Sequence, residues 1–178
     1  MPWTSTADRY GTVAIAIHWI TALAVIGLLI SGFQAAGMAN APGQAGLLRI
    51  HAVLGISVLV LTILRLAWWW LIDRKPLPPA DMPRWQSRAA TSVHGLFYVV
   101  ILVMAASGIG MLVVSQAAQV LFFGAPRPLP DFDAYAPRIP HGIGGRLMVA
   151  LICLHVAAAL YHQFIRRDRL LRRMGLGR

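Results

Sequence analysis

The stretch HGIGGRLMVALICLHVAAALYH, residues 141–162, decides the fold of this chain. It is apolar over most of its length, yet it carries histidines at positions 141, 155 and 162. Fourteen residues are close to four helical turns, so His141 and His155 project from nearly the same helix face, about 21 Å apart along the axis. Ionisable side chains inside a membrane helix are costly and indicate function. The stretch therefore predicts a membrane helix that carries functional imidazoles.

Three more apolar segments precede this one. The predicted spans cover about residues 13–33, 47–72, 91–114 and 142–165. Each meets the length of about 20 residues that a helix needs to cross the hydrocarbon core, and none alternates as barrel strands do. Segments rich in glycine and proline separate them. We therefore predict an all-α integral membrane four-helix bundle, with residues 1–178 forming a single membrane domain.

The composition supports a membrane protein. Hydrophobic residues make up 58% of the chain and charged residues 12%, where a soluble domain has roughly 25% charged residues. The formal net charge of +10 is a feature of many nucleic-acid-binding proteins. Here the basic residues lie beside apolar segments, with almost no polar surface to form a groove, so we predict the lipid bilayer as the partner and no nucleic acid.

The first span and the single cysteine each have two interpretations. The Ala-rich sequence at the C-terminal end of the first span is typical of a cleaved signal peptide. The span is long, however, and contains His18 and Trp19, so we expect it to be retained. Cys153 cannot form a disulfide within the chain, and we expect it to be a small core residue.

The basic residues predict the orientation. One side of the membrane has Arg9, Arg74, Lys75, Arg84, Arg88, Arg166, Arg167, Arg169, Arg172, Arg173 and Arg178. The other side has Arg49, Arg127, Arg138 and Arg146, partly balanced by Asp131 and Asp133. The positive-inside rule then places both termini in the cytoplasm. Trp68, Trp69 and Trp70 would lie at the cytoplasmic boundary, either as an aromatic anchor or as a surface on which a quinone stacks.

This topology sorts the six histidines by depth. His51 and His141 form an outer pair, and the inner group comprises His18, His94, His155 and His162. A bis-histidine haem needs two imidazoles at one depth on facing helices. The outer pair has one solution, whereas the inner haem has several, including His18 with His94 and His18 with His155. A zinc or copper site would require three or four ligands at one depth, so haem is the better hypothesis.

Several motifs resemble the bacterial cytochrome b561 family over nearly the whole chain. They are AIHW at 16–19, RIHAVLGISVLVLTILRL at 49–66, and LHVAAALYH at 154–162 together with His141. The resemblance implies an inner-membrane protein with four helices and two haem b groups. It implies His18 and His155 as axial iron ligands of the inner haem, and His51 and His141 as those of the outer haem. His94 matches a histidine of the family that is not a ligand.

The resemblance also implies an activity. Superoxide would be oxidised to dioxygen at the periplasmic side, and ubiquinone would accept the electrons near His162, with Tyr161 and Arg166 as candidate helpers. The stretch PHGIGGRL at 140–147 departs from the family's more polar sequence. The outer arginines could steer superoxide, bind haem propionates or serve the loops, and Arg65 could bind a propionate or reach for the membrane surface. The alternative function is a membrane cytochrome b subunit that links a partner dehydrogenase or hydrogenase to the quinone pool.

Overall fold

The computed structural model describes residues 2–38, 41–79, 82–168 and 170–176. Arg169 and Arg178, counted above among the cations of the tail, lie outside these ranges. The helices are α1 Thr12–Gly37, α2 Gln44–Leu71, α3 Arg84–Val114, α4 Ala117–Phe123, α5 Arg138–Leu160 and α6 Leu170–Arg173. A π-helical turn, Tyr161–Arg166, extends α5. In the described residues, α1, α2, α3 and α5 with its extension are long and apolar enough to cross a membrane.

The four spans form two antiparallel hairpins. Helix α1 packs along α2, α3 packs along α5, and α2 joins the hairpins by packing on α3. Both termini meet at one end of the bundle, where the Tyr10 amide donates to the Arg173 carbonyl over 3.3 Å. We call this the terminal end, and it also holds residues 72–79 and 82–83. The distal end holds residues 41–43 and 115–137.

The helices extend beyond the predicted apolar segments. Helix α3 begins at Arg84 rather than near position 91, and α5 begins at Arg138 rather than near 142. Apolar runs mark the hydrocarbon core, and polar turns continue a helix past it. Pro137 lies at the start of α5 and Pro140 in its first turn, where a helix needs no amide donor.

A small apolar layer fills the centre of the bundle. Val25, Val58, Val100, Met148 and Leu151 are its buried members. They lie along the helices between the outer histidines and the inner ones. Most other apolar side chains of the spans face outward, as a bilayer requires. The largest cluster of buried apolar side chains is therefore a layer that separates the two histidine levels.

At the terminal end, a buried carboxylate ties the N-terminal segment to the end of α2. Asp73 accepts hydrogen bonds from the Ser5 amide at 2.9 Å, the Ser5 hydroxyl at 2.8 Å, Trp68 Nε1 at 3.1 Å and the Arg74 amide at 2.8 Å. Burial raises the pKa of Asp73, but these donors outweigh burial and hold it below its ordinary value of 3.8. We call this arrangement the Asp73 clasp.

The C-terminal segment closes over the same end. Arg173 donates to the carbonyl oxygens of Asp8 at 2.7 Å and Leu77 at 2.7 Å. Trp19 Nε1, in the first turns of α1, donates to the Met174 carbonyl at 3.1 Å. The N-terminal segment, residues 72–79 and the C-terminal helix therefore form one layer over the terminal end.

The tryptophan triplet divides between two environments. Trp68 belongs to the Asp73 clasp, and Trp69 contacts the Tyr10 ring with centroids 6.0 Å apart. Trp70 is 86% exposed on the outside of the bundle, where an aromatic membrane anchor would lie. Cys153 is also exposed on the outside, so its prediction as a core residue is wrong. It lies on the lipid-facing side of α5, where a thiol behaves as another small apolar group.

Candidate functional site

His51 and His141 face each other at the distal end. His51 lies about two turns into α2 and His141 in the first turn of α5. Their ring centroids are 6.0 Å apart, with an angle of 69° between the ring planes. The predicted outer pair is therefore brought together by the fold.

His18 and His155 approach in the same way nearer the terminal end. Helices α1 and α5 carry them, and their ring centroids are 6.3 Å apart. Bonds from imidazole nitrogen to a metal are about 2 Å long, which puts two imidazoles on one ion with centroids roughly 6 Å apart. Both pairs thus have the separation that a shared haem iron requires.

The outer histidines are held by two copies of one backbone arrangement. On α1, Ser31 Oγ lies 3.1 Å from His51 Nδ1, and the Leu28 backbone is a second partner of that ring. On α3, Ser107 Oγ and the Met104 carbonyl each lie 3.1 Å from His141 Nδ1. In each copy the carbonyl stands three residues before the serine.

These contacts determine which ring nitrogen carries hydrogen. A carbonyl oxygen can only accept, so Nδ1 of each outer imidazole donates to it and the neutral ring leaves Nε2 free. Both serine hydroxyls donate at 2.7 Å to a carbonyl four residues back, Gly27 and Val103 respectively, so their oxygens can accept from the imidazoles. A free Nε2 on each of two facing rings is the donor set that a bis-histidine haem uses.

A glycine follows each of these serines and makes room for the ring. A Cβ atom at Gly32 would lie 2.9 Å from His51 Cε1, and one at Gly108 would lie 3.2 Å from His141 Cε1. Any side chain at these positions would press on the imidazole. Both positions therefore require glycine because a larger residue would contact the imidazole, which is a reason beyond ordinary helix packing.

The inner histidines have a different surrounding. His18 Nδ1 lies 3.4 Å from Arg65 Nη1 rather than beside a carbonyl. Arg65 Nε is buried and has no hydrogen-bond partner among the residues that the structure describes. His94 also approaches His155, with ring centroids 5.5 Å apart, and Phe97 packs on the same ring at 5.6 Å. Ring distances alone therefore leave His94 as a competitor of His18 for the inner site.

His162 lies two turns beyond His155, within the π-helical turn. Its Nδ1 is paired with the Asp168 carboxylate. Arg167 adopts a left-handed backbone conformation with φ 56°, which turns the chain back so that Asp168 reaches the histidine. The carboxylate accepts from Nδ1 and leaves Nε2 available to a further partner.

Sequence reasoning identified the histidines and missed what holds them. Ser31, Ser107, Gly32 and Asp168 were not singled out. One signal was available, because the dipeptide Ser-Gly occurs within two different spans, at 31–32 and 107–108. The Asp168 contact had none, since it depends on a π-helical turn that periodicity does not reveal.

The fold and the facing imidazoles are those of a membrane cytochrome. The family model for prokaryotic cytochrome b561 matches residues 9–177. The chain belongs to the prokaryotic cytochrome b561 family and is a membrane b-type cytochrome.

Curated relatives match over nearly the full length. Cytochrome b561 homolog 2 of Escherichia coli K12 is 26% identical, covering 98% of this chain and 95% of the relative. A protein of Yersinia pestis named probable superoxide oxidase CybB is 28% identical, covering 93% and 95%. Cytochrome b562 of Cereibacter sphaeroides is 27% identical, covering 93% and 94%.

Proposed function

We propose that the chain holds two haem b groups and oxidises superoxide at its distal end, passing the electrons to ubiquinone near its terminal end. The observation that carries the proposal is the presence of two facing imidazole pairs at two depths, separated by the central apolar layer. The likeness to the Yersinia pestis relative, named a probable superoxide oxidase, supports the donor.

The proposed axial ligands are His51 and His141 for the outer haem and His18 and His155 for the inner haem. The outer assignment is supported by the 6.0 Å centroid distance and by the two free Nε2 atoms. The inner assignment is supported by the 6.3 Å distance and by the resemblance to the family. Haem b, when bound, supplies the reversible one-electron chemistry of its iron.

The orientation follows from the positive-inside rule and remains a proposal. Cations of the terminal end include Arg74, Lys75, Arg84 and Arg173, so this end is assigned to the cytoplasm and the outer pair to the periplasmic side of a bacterial inner membrane. The first turn of α5 places His141 near the distal surface, within reach of an anion that arrives from the periplasm.

The proposed reaction balances over two turnovers of superoxide. Two superoxide anions each lose one electron and become two dioxygen molecules. One ubiquinone gains these two electrons and two protons and becomes ubiquinol. The protein must therefore supply protons only at the quinone end.

The arginines of the distal end have different hydrogen-bond partners, which affects how each could attract the superoxide anion. Arg138 is paired with Asp133 at 2.9 Å, and Arg127 donates to the Gln116 side chain at 2.9 Å. Arg49 donates through Nε to the Leu121 carbonyl and lies two residues before His51 in α2. Because of this position next to an outer histidine along the helix, Arg49 is the proposed contributor to attraction of the anion.

His162 and Asp168 are the proposed quinone contact and its support. Pairing of Nδ1 with the carboxylate orients the ring, so that Nε2, when it carries hydrogen, can donate to a quinone oxygen and pass that proton to it. Replacing Asp168→Asn should slow quinone reduction while leaving the reduction of both haems by superoxide unchanged. Stopped-flow absorbance separates these two steps, and equal slowing of both would contradict the assignment.

The test of the whole proposal is stopped-flow mixing of the purified holoprotein with superoxide, with and without ubiquinone. The expected result is rapid haem reduction that slows as salt is added, followed by reoxidation only when quinone is present. Arg49→Gln should slow the first phase and remove part of its salt dependence, whereas Arg88→Gln, at the terminal end, should not. Slow reduction without salt dependence would reject superoxide as the donor.

That outcome would favour the alternative, a cytochrome b subunit that passes electrons from a partner dehydrogenase or hydrogenase to quinone. The observation in its favour is that other relatives of similar identity are named only as cytochromes. The two functions would use the same proposed ligands. Rapid haem reduction by a co-purified partner, together with slow reduction by superoxide, would decide for the alternative.

The ligand assignment has its own test in single alanine variants. His51→Ala and His141→Ala should each remove the outer haem and leave the inner one. His18→Ala and His155→Ala should each remove the inner haem and leave the outer one. His94→Ala should retain both haems. Loss of the inner haem in His94→Ala with retention in His18→Ala would show the inner assignment to be wrong.

A further inference from the structure

The two outer histidines share a repeated support, and within the described residues neither His18 nor His155 has such a support. In α1 it consists of Leu28, Ser31 and Gly32, and in α3 of Met104, Ser107 and Gly108. The carbonyl acceptor, the serine hydroxyl and the glycine have the same order and spacing in both helices. We call these the Ser-Gly supports.

Each support fixes its imidazole in three ways. The carbonyl and the serine oxygen together receive Nδ1–H, at 3.1 Å from each in the α3 copy. The glycine lets the Cε1 edge of the ring approach the helix backbone. The ring can then neither flip its two nitrogens nor rotate away without losing its hydrogen bonds.

Such contacts also change the electronic character of a ligand. An imidazole whose Nδ1–H is donated to oxygen acceptors is a more basic ligand through Nε2. A more basic ligand stabilises the oxidised, more positive iron, and hydrogen bonding around the ligands is one of the means by which a protein sets a haem potential.

We propose that Ser31 and Ser107 are positioning residues that hold His51 and His141 in the iron-binding orientation and lower the reduction potential of the outer haem. This inference rests on the proposed ligation of that haem by the two histidines. It assigns a role to two serines that would otherwise be read as ordinary helix residues bonded to their own backbone.

Ser57 provides a matched control for the intrahelical hydrogen bonds that Ser31 and Ser107 make. Ser57 of α2 donates at 2.9 Å to the Val53 carbonyl four residues back, as Ser31 and Ser107 do to theirs, but it is exposed on the outside of the bundle. Replacing Ser57→Ala removes the same intrahelical hydrogen bond and touches no histidine.

The experiment is an optical redox titration of the purified holoprotein and of Ser31→Ala, Ser107→Ala, the double variant and Ser57→Ala. The component that disappears in His51→Ala identifies the outer haem. Its midpoint potential should rise in each single serine variant and rise further in the double variant. The inner component should stay unchanged in all of them, and Ser57→Ala should match the parent. Selective loss of the outer haem, reflecting an affinity lowered about 10-fold or more, would equally support the proposal.

A conservative variant separates chemistry from packing. Ser31→Thr keeps the hydroxyl and should retain the parent potential, whereas Ser31→Ala should not. An outer potential that does not move in the double variant overturns the inference, as does loss of both haems in Ser31→Ala and Ser31→Thr alike. A parent protein that binds fewer than two haems overturns the proposed function, and this inference with it, so the two failures are distinguishable.

Discussion

Gly32 and Gly108 are the residues whose substitution tests the outer site most directly. A Cβ at Gly32 would lie closer to its histidine, at 2.9 Å, than one at Gly108, at 3.2 Å. Overpacking of this kind costs about 1–3 kcal/mol. We expect Gly32→Ala to lower outer-haem occupancy strongly and Gly108→Ala to lower it less, with the inner haem retained in both, as measured by haem-to-protein ratio and redox titration.

Gly95 provides the control for these glycine variants. It lies beside His94 in α3, and a Cβ there would meet nothing within 4 Å. Gly95→Ala should retain both haems and gain about 1 kcal/mol of helix stability. Equal haem loss in Gly95→Ala and Gly32→Ala would mean that glycine matters through helix flexibility rather than through room for the imidazole.

Arg65 makes the inner site differ from the outer one. Its Nη1 lies 3.4 Å from His18 Nδ1, and in the described part of the chain its buried Nε has no hydrogen-bond partner. A cation near a haem disfavours the oxidised form, so Arg65 should raise the inner potential. Arg65→Gln should lower the inner midpoint potential and Arg65→Lys should lower it less, both measured by redox titration. An unchanged inner potential in Arg65→Gln would indicate that the charge is directed to the membrane surface.

The histidines could be predicted from the sequence because a membrane helix rarely tolerates an imidazole without a function. The Ser-Gly supports could not be predicted, because serine is common in membrane helices. The role of Ser31 and Ser107 depends on a histidine that lies on a neighbouring helix. The choice between His94 and His18 also required more than depth. Both rings lie about 6 Å from His155, so the ambiguity left by the sequence persists in the geometry.

The long helices were predictable as elements, whereas their ends were not. Apolar runs define α1, α2, α3 and α5, but the polar start of α3 at Arg84 and the proline-containing start of α5 at Arg138 lie outside such runs. The π-helical turn has no sequence signature, since it arises where α5 meets the C-terminal segment. The layer over the terminal end was unpredictable for the same reason, because it depends on contacts between segments far apart in the chain.

The Asp73 clasp is the feature that holds the N-terminal segment to α2. Hydrogen bonds to a charged group are worth about 1.5–3 kcal/mol, and Asp73 receives them from Ser5, Trp68 and Arg74. Asp73→Asn should therefore lower the free energy of unfolding by about 2 kcal/mol and expose the N-terminal segment to protease. Asp133→Asn, which removes an exposed carboxylate paired with Arg138, should cost at most about 1 kcal/mol.

The clasp also predicts a pH dependence. The pKa of Asp73 is lower in the folded protein than its ordinary value of 3.8, so its stabilisation is fully present above that value. It is lost only as the pH falls through the lower, folded value. Thermal unfolding should therefore show an acid-sensitive component below pH 3.8 that Asp73→Asn lacks. A component of equal size in both proteins would contradict this role of the clasp.

The molecule as a whole consists of two hairpins joined mainly through α2 and α3. The histidines of the outer and inner pairs lie on opposite hairpins, α2 or α1 on one side and α5 on the other. The buried protein core between them is a small apolar layer. Haem held by these histidines, as proposed, would therefore join the two hairpins above and below that layer.

The proposed ligation makes haem content a determinant of stability. A ligand that binds only the folded state stabilises it by about 2.7 kcal/mol at 100 times its dissociation constant, and in a chain of this size each kcal/mol shifts Tm by about 2–4 °C. Thermal unfolding followed by tryptophan fluorescence should give the lowest Tm for haem-depleted protein, an intermediate Tm for His141→Ala with one haem, and the highest for the parent. Haem added back should raise Tm in the depleted parent to its original value, but only part of the way in His141→Ala. Equal Tm values with and without haem would mean that the apolar layer alone holds the hairpins together.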